Sequence, residues 1–344
     1  MFKFNFCVDT EDQNDSPSAS LESDAVSRNW LPVHKHEVTS EHLQPLSEDT
    51  ILEATVGQTS IKYSSINSVW QRLQKGGIYH NILPAFKDHT DVVPAVYEGG
   101  LKVWECTWDL LHYLAALDIT FKGYRVLELG CGAALPALYT ALHGAHITLQ
   151  DYNEEVINFV TVPNVALNLA DDSPVNDRND SARDSSLSRD PVMEIASKAS
   201  FYSGDWGDFN QLLLNKLKSD EDKDNTLSSK DDESAKFDII LTSETIYNPE
   251  CYQKLLTVMT NCLKQDGVIL LAAKSHYFGV GGGTLQFINL VKQEGLLSVR
   301  TITTNNEGEN STTCVAGTCG LSFHCPLRFR NSSRDIFPAA EQPL

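Results

Sequence analysis

The stretch "YRVLELGCGAALPALYTALHGAHITLQD", residues 124–151, contains two short apolar runs separated by one amphipathic segment. "YRVLEL" (124–129) and "HITLQD" (146–151) read as strands, and "LPALYTALHG" between them reads as a helix. A strand, a helix and a second strand this close together form a crossover unit, which makes the two strands parallel neighbours. Gly130-Cys131-Gly132 follows the first strand at once, where glycines let a ligand come close to the backbone. Asp151 ends the second strand nineteen residues after Gly132, and an acid in that position can hydrogen-bond ribose hydroxyls.

The same alternation continues outward. "ASFYSGD" (199–205), "FDIILTS" (237–243) and "GVILLAA" (267–273) are further strand candidates, with helical patterns in "EEVINFVTVPNVALNL", "NPECYQKLLTVMTNCL" and "TLQFINLVKQEG". "TWDLLHYLAAL" supplies a helix upstream. The pattern predicts an α/β fold, a doubly wound, mostly parallel sheet with helices on both faces. The expected division is a polar, largely disordered lead-in over 1–60, a catalytic-type domain over 61–300 with disordered inserts at 171–199 and 218–236, and a tail over 301–344.

Charge follows the same division. Net charge is −19, and the stretches 1–60, 171–199 and 218–236 carry −8, −3 and −3 of it. These segments are rich in Ser, Asp and Asn, and that composition stays solvated instead of packing. An acidic balance argues against nonspecific nucleic-acid binding, which needs a basic face. No apolar run reaches the roughly 20 residues of a membrane span, and "MFKFNFCVDTEDQ" lacks the pattern of a secretory signal. Eight cysteines without a CxxC pair suggest free thiols. Cys314, Cys319, His324 and Cys325 have an unfamiliar spacing for zinc, and no metal site is predicted.

The glycine turn identifies a cofactor class. After Gly132 come Ala133, Ala134, Leu135 and Pro136, so the third glycine of a dinucleotide fingerprint is absent. Glu128 makes the motif E-x-G-x-G, the pattern of S-adenosylmethionine-dependent methyltransferases. "VYEGGLKVWECTWDLLHYL", "VLELGCG", "LQDYNEEVINFVTVPNV", "FYSGDWGDF", "DIILTSETIYNPECY" and "AAKSHYFGVGGGT" then occur in order between about residues 96 and 300. In these segments the chain resembles the protein-histidine methyltransferases that modify a histidine of a large-subunit ribosomal protein. The resemblance implies a seven-strand methyltransferase sheet and S-adenosylmethionine as methyl donor. Carried over by motif, the donor site comprises Val103, Trp104, Glu105, Cys106, Thr107, Glu128, Gly130, Gly132, Gln150, Asp151, Tyr152, Gly204, Asp205, Trp206 and Ser243. In this reading Asp151 binds the ribose, Asp205 accepts a hydrogen bond from the adenine amino group, and Trp206 lies against the ring.

For the acceptor, Glu244 is the candidate to hold one imidazole nitrogen, with Tyr247 and Asn248 beside it. Glu244 could equally be a carboxylate that caps the following helix. His276 and Tyr277 are pocket-lining candidates, and the glycines of "HYFGVGGG" (276–283) suggest a tight loop beside the acceptor. The resemblance implies a ribosomal-protein partner, no membrane, a monomer, and residence in cytoplasm and nucleus. Two other readings stay open on the sequence: a lysine or small-molecule methyltransferase on the same fold, and a cofactor-binding protein without catalysis. The latter rests on the tail, where "ENSTTCVAGTCGLSFHCPLRFR" shows little strand pattern and predicts that the final strand of the sheet is missing.

Overall fold

The structure, a computed structural model, describes residues 30–44, 51–76, 91–117, 119–170, 190–221, 235–305 and 312–319. The disorder expected of 1–29, 171–189 and 222–234 lies outside the described residues, as do His324 and Cys325.

The chain enters through a short strand, β1 (His34–His36), and an antiparallel hairpin of β2 (Ile51–Val56) and β3 (Thr59–Ser64). Helix α1 (Ile66–Gly76) follows, then α2 (Glu105–Ala116). The alternating core runs β4 (Arg125–Leu129), α3 (Leu135–Leu142), β5 (His146–Asp151) and a long helix α4. Helix α4 begins at Glu154–Val156, passes through a π-helical turn at Ile157–Thr161 and ends with Val162–Leu169. Pro163, which has no N–H to donate, sits just after the π turn. Then come α5 (Pro191–Lys198), β6 (Ala199–Ser203), α6 (Trp206–Glu221), β7 (Phe237–Ser243), α7 (Tyr252–Cys262), β8 (Leu263–Lys274), α8 (Thr284–Glu294), β9 (Leu297–Asn305) and β10 (Thr312–Cys319).

The main sheet has eight strands in the order β1-β6-β5-β4-β7-β8-β10-β9. Strands β6, β5, β4, β7 and β8 are mutually parallel, and β1 and β10 run antiparallel to their neighbours. Both faces are covered, so each central strand is apolar at successive residues. Val126 packs with α2, α3 and α4 on one face, while Leu127 and Leu129 pack with α6, α7 and α8 on the other. The order reverses direction at β4, and the loops leaving the carboxyl ends of the strands on either side of it open a crevice there.

Three expectations are corrected. The sheet has its final strand: β10 lies between β8 and β9 and pairs with both. Cys314 and Ala316 face one core and Val315 the other. Its side chains are small, and Gly317 and five threonine or cysteine positions interrupt the apolar alternation that marks a strand. The idea that an incomplete sheet abolishes catalysis therefore loses its ground. The lead-in over 1–60, expected to be largely disordered, holds ordered strands at its far end: β1, β2 and the start of β3. The expected inserts also take in helical residues: α5 (Pro191–Lys198), capped by Asp190, falls within the first, and α6 runs on to Glu221, into the second.

Candidate active site

The glycine turn after β4 is tied down by side chains from α4. Thr161 Oγ1 donates to Gly132 O at 2.7 Å, and Asn164 Nδ2 donates to Ala133 O at 3.1 Å. Thr161 comes from the π-helical turn, a feature that recurs at functional sites. Asp151, 4% exposed, accepts from Gly132 N at 2.8 Å. Burial raises its pKa to about 6 against hydrogen bonds from the backbone that pull it down.

The turn opens into a cleft across the carboxyl ends of β6, β5, β4 and β7. Gly130, Gly132, Asp151 and Tyr152 line its middle. Gly204, Asp205 and Trp206 line one end, and Ser243, Glu244, Tyr247 and Asn248 line the other. Val103, Trp104 and Thr107, from the entry to α2, complete a wall. Trp104 Nε1 donates to Gly99 O at 3.0 Å, and Thr107 and Ser243 share a hydroxyl hydrogen bond of 2.9 Å.

Four residues carried over by motif do not line the cleft. Glu128 is buried under the turn and accepts from Ala137 N at 2.9 Å, which serves the first turn of α3. Burial pushes its pKa up to about 8. Gln150 is an internal brace. Its amide donates to Asp151 O and Gly204 O, both at 2.8 Å, and its oxygen accepts from Trp206 Nε1 at 2.8 Å, fixing that indole. Cys106 is fully buried in α2. Glu105 lies on the outside of the first turn of α2, where its carboxylate meets Lys274 Nζ at 2.9 Å. These four sit beside motif residues in sequence but are not among the residues that line the cleft.

At the β7 end, Glu244 has φ +57, a left-handed backbone that costs a non-glycine residue about 1–2 kcal/mol. Its N–H donates to Ala272 O at 2.9 Å. The buried carboxylate accepts from Cys106 N at 3.3 Å and from the Tyr277 hydroxyl. Burial raises the Glu244 pKa, while these two donors and the charge of Lys274 lower it. The helix that follows is capped by Asn248, whose side chain accepts from Glu250 N at 3.1 Å. Tyr247 donates its hydroxyl to Glu98, and its ring meets Tyr277 edge-on at 6.3 Å.

The loop "HYFGVGGG" makes structure here and does not cradle phosphate. Tyr277 N donates to Gly282 O at 2.8 Å, and Gly283 N donates to Tyr252 Oη at 2.8 Å. A Cβ at Gly282 would lie 2.2 Å from Tyr247 O and 2.4 Å from Ile246 O, so only glycine lets the loop press against the segment after Glu244. Tyr277 lines the cleft. His276 is exposed and packs edge-on against Phe278 at 4.8 Å.

The sequence reading did not mark Glu98 or Trp30, which also line the cleft. Glu98 stands in "VYEGG" with no pattern of its own, and Trp30 lies in a stretch discounted for its composition. Among the described residues no group of His, Cys, Asp and Glu could hold a metal, and no helix is long and apolar enough to cross a membrane.

The residues present fit S-adenosylmethionine. The donor carries a sulfonium and an ammonium, a ribose and a purine. The cleft offers the buried carboxylates of Asp151 and Asp205 and the braced indole of Trp206. Asp151 and Tyr152 would hold the ribose, and Asp205 and Trp206 the base. The glycine turn would lie along the methionine part.

A family model described as lysine methyltransferase matches residues 211–294. A histidine protein methyltransferase 1 homolog of Mus musculus is 36% identical over 86% of this chain and 76% of its own length. One of Bos taurus is 38% identical over 86% of this chain and 79% of its own. A magnesium protoporphyrin IX methyltransferase from Synechocystis PCC 6803, solved with bound S-adenosylmethionine, covers 62% of this chain and 77% of its own at 13% identity and a TM-score of 0.37. The lysine description rests on one stretch of the domain, whereas the likeness to the histidine enzymes runs through nearly all of it. The chain belongs to the family of S-adenosylmethionine-dependent histidine protein methyltransferases.

Proposed function

We propose that the chain methylates the tele nitrogen, Nε2, of a histidine in a large-subunit ribosomal protein. The Glu244 carboxylate carries the reading. It is buried and aimed by Cys106 N–H and Tyr277 O–H at the end of the cleft away from the base-binding residues. S-adenosylmethionine, when bound, supplies an electrophilic methyl group on sulfur. A histidine has an ordinary pKa of about 6.5, so much of it is neutral and nucleophilic at pH 7. What the protein must add is orientation and the right tautomer.

A carboxylate has about four lone-pair sites, and the bonds from Cys106 and Tyr277 leave part of that capacity over. A remaining site can accept the N–H of the acceptor's Nδ1, which leaves the Nε2 lone pair free for the methyl group. Nε2 is also the nitrogen farther from the peptide backbone, so a recessed pocket reaches it with less conflict. The rings of Tyr247 and Tyr277, in edge-on contact, would wall the same place off from water.

The ribosomal substrate is supported by the motif resemblance and by charge. A net charge of −19 suits a basic protein partner, with an attraction that salt would screen. We propose further that the enzyme acts as a monomer, in cytoplasm and nucleus, where ribosomal proteins are made and assembled. The lysine description of the matching family model favours one second reading, a lysine acceptor. Incubation with labelled donor and a ribosomal-protein mixture, followed by peptide mass spectrometry, separates the two. Label on a histidine of a large-subunit protein as the tele isomer is the expected result. Label on lysine alone overturns the acceptor, and label on histidine of other proteins alone overturns the partner.

A further inference from the structure

The segment ahead of the hairpin crosses the base end of the cleft. Strand β1 pairs antiparallel with β6, His34 opposite Ser203 and His36 opposite Phe201. Just before it, Leu31 O accepts from Asp205 N at 2.9 Å, and Leu31 N donates to Tyr152 Oη at 3.1 Å. The Tyr152 hydroxyl in turn donates to Ala95 O at 2.9 Å. At Gly204, with φ +114, a Cβ would fall 2.4 Å from Pro32 O and 2.7 Å from Val33 Cα. The glycine that opens the Gly204-Asp205-Trp206 turn thus gives room to this strap.

The strap delivers Trp30 to the cleft wall. Lys254 Nζ lies 3.6 Å from the centre of the Trp30 ring, and Tyr152 meets that ring edge-on at 6.3 Å and 89°. Lys254 also pairs with Asp205 at 2.7 Å. The lysine is therefore held by an aromatic face and a carboxylate together. Trp30, Tyr152, Asp205 and Trp206 line the same end of one cleft, away from Glu244.

We propose that Trp30 is part of the methyl-donor site. Its indole is an aromatic wall for the adenine, and residues ahead of the methyltransferase core complete the donor site. The proposal rests on the reading of the cleft as a site for S-adenosylmethionine. If Asp151 takes the ribose, the reacting end points to Glu244 and the base to the end of β6, where the strap crosses. A purine prefers an aromatic face, and such a face contributes about 5- to 150-fold in affinity. Asp205 offsets the charge of Lys254 beside it, so the lysine does not repel the cationic donor.

The test is calorimetric titration of the full chain with S-adenosylhomocysteine and, separately, with adenosine. Trp30→Ala weakens both ligands by about 5- to 150-fold, since the contact is with the base, while Trp30→Phe stays within about threefold. A folded Trp30→Ala protein that binds both ligands within twofold of the wild type overturns the proposal. If Trp30→Ala does not fold, Trp30→Phe still decides the matter. It removes one of five indoles, and the fluorescence quench on adding S-adenosylhomocysteine shrinks if Trp30 faces the base. An unchanged quench overturns the proposal. Failure of the wild type to bind S-adenosylhomocysteine is a distinct result, and it sinks the donor reading and this proposal together.

Discussion

Tyr277→Phe removes one oxygen from the wall of the cleft and little else. The ring is 1% exposed and meets Tyr247 edge-on, and phenylalanine keeps both features. Lost are the donor to the Glu244 carboxylate and an acceptor for Lys274 N–H at 3.2 Å. Burial and the neighbouring Glu244 charge push the Tyr277 pKa well above its ordinary value, so the hydroxyl remains a donor at working pH. A hydrogen bond to a charged group contributes about 1.5–3 kcal/mol. If that energy serves to aim Glu244 at the acceptor, kcat falls by about 10- to 100-fold. Affinity for S-adenosylhomocysteine, read by calorimetry, stays within a few-fold, because the proposed ribose and base contacts lie toward Asp151 and Asp205.

The pH profile separates aiming from packing. In the proposed reading Glu244 accepts the imidazole N–H as a carboxylate, so protonating it weakens the orienting contact and turnover falls on the acid side. The Tyr277 hydrogen bond lowers the Glu244 pKa against the burial that raises it. Without that bond the pKa rises further, and the acid limb of kcat moves to higher pH. The substrate's imidazole adds its own limb near about 6.5, common to both enzymes, so the difference between the two profiles is the readout. The stability linkage runs the opposite way with pH. A carboxyl whose folded pKa is raised favours the folded state most below its unfolded pKa, and that contribution is lost as pH rises through the folded value. Wild-type kcat in Tyr277→Phe refutes the argument. So does a lower kcat with an unmoved acid limb, which would show that Tyr277 acts by packing alone.

Three other outcomes can be checked separately. Asp151→Asn weakens S-adenosylmethionine binding by about 1–3 kcal/mol; wild-type affinity also falls as pH drops through about 6, where Asp151 protonates, and this dependence is absent from Asp151→Asn in calorimetry. Gly282→Ala places a Cβ 2.2 Å from Tyr247 O, so the loop shifts, the melting temperature drops by several degrees and kcat falls; an unchanged kcat would uncouple the glycine loop from the acceptor end. Amide hydrogen exchange over Thr313–Thr318 is among the slowest in the protein, because β10 is paired on both sides and buried on both faces; exchange as fast as in an exposed loop would mean that β10 is not held there.

What could be read in advance follows from the physics of each element. "FDIILTS" is apolar at successive residues because helices cover both faces of β7, and its bounds were legible without the fold. The turn from Gly130 to Gly132 and the acid at 151 are local too, since one strand–turn–helix unit brings them together. Strand β10 was not legible: "TTCVAGTC" derives its order from two neighbouring strands, and small side chains suffice where the sheet is already covered. The strap at Trp30 was hidden for a related reason. Averaged over sixty residues with net −8, a few ordered residues do not register, yet Leu31 needs only two backbone hydrogen bonds to place an indole in the cleft.

Glu244 shows how far motif reading reaches. The sequence places a carboxylate just past the end of β7, beside a strand-order reversal, and so near the reacting end of any bound donor. It does not reveal whether that carboxylate faces solvent or the cleft. The φ of +57 decides the matter. It is held by the Ala272 carbonyl, by Cys106 N–H on α2 and by Tyr277 in the glycine loop, three groups far apart in the chain. A strained backbone persists only when its surroundings over-determine it. The strain at Glu244 and the closeness of Gly282 to Tyr247 O then have one explanation: the glycine loop packs down until Tyr277 reaches the carboxylate, and that packing builds the end of the cleft proposed for the acceptor.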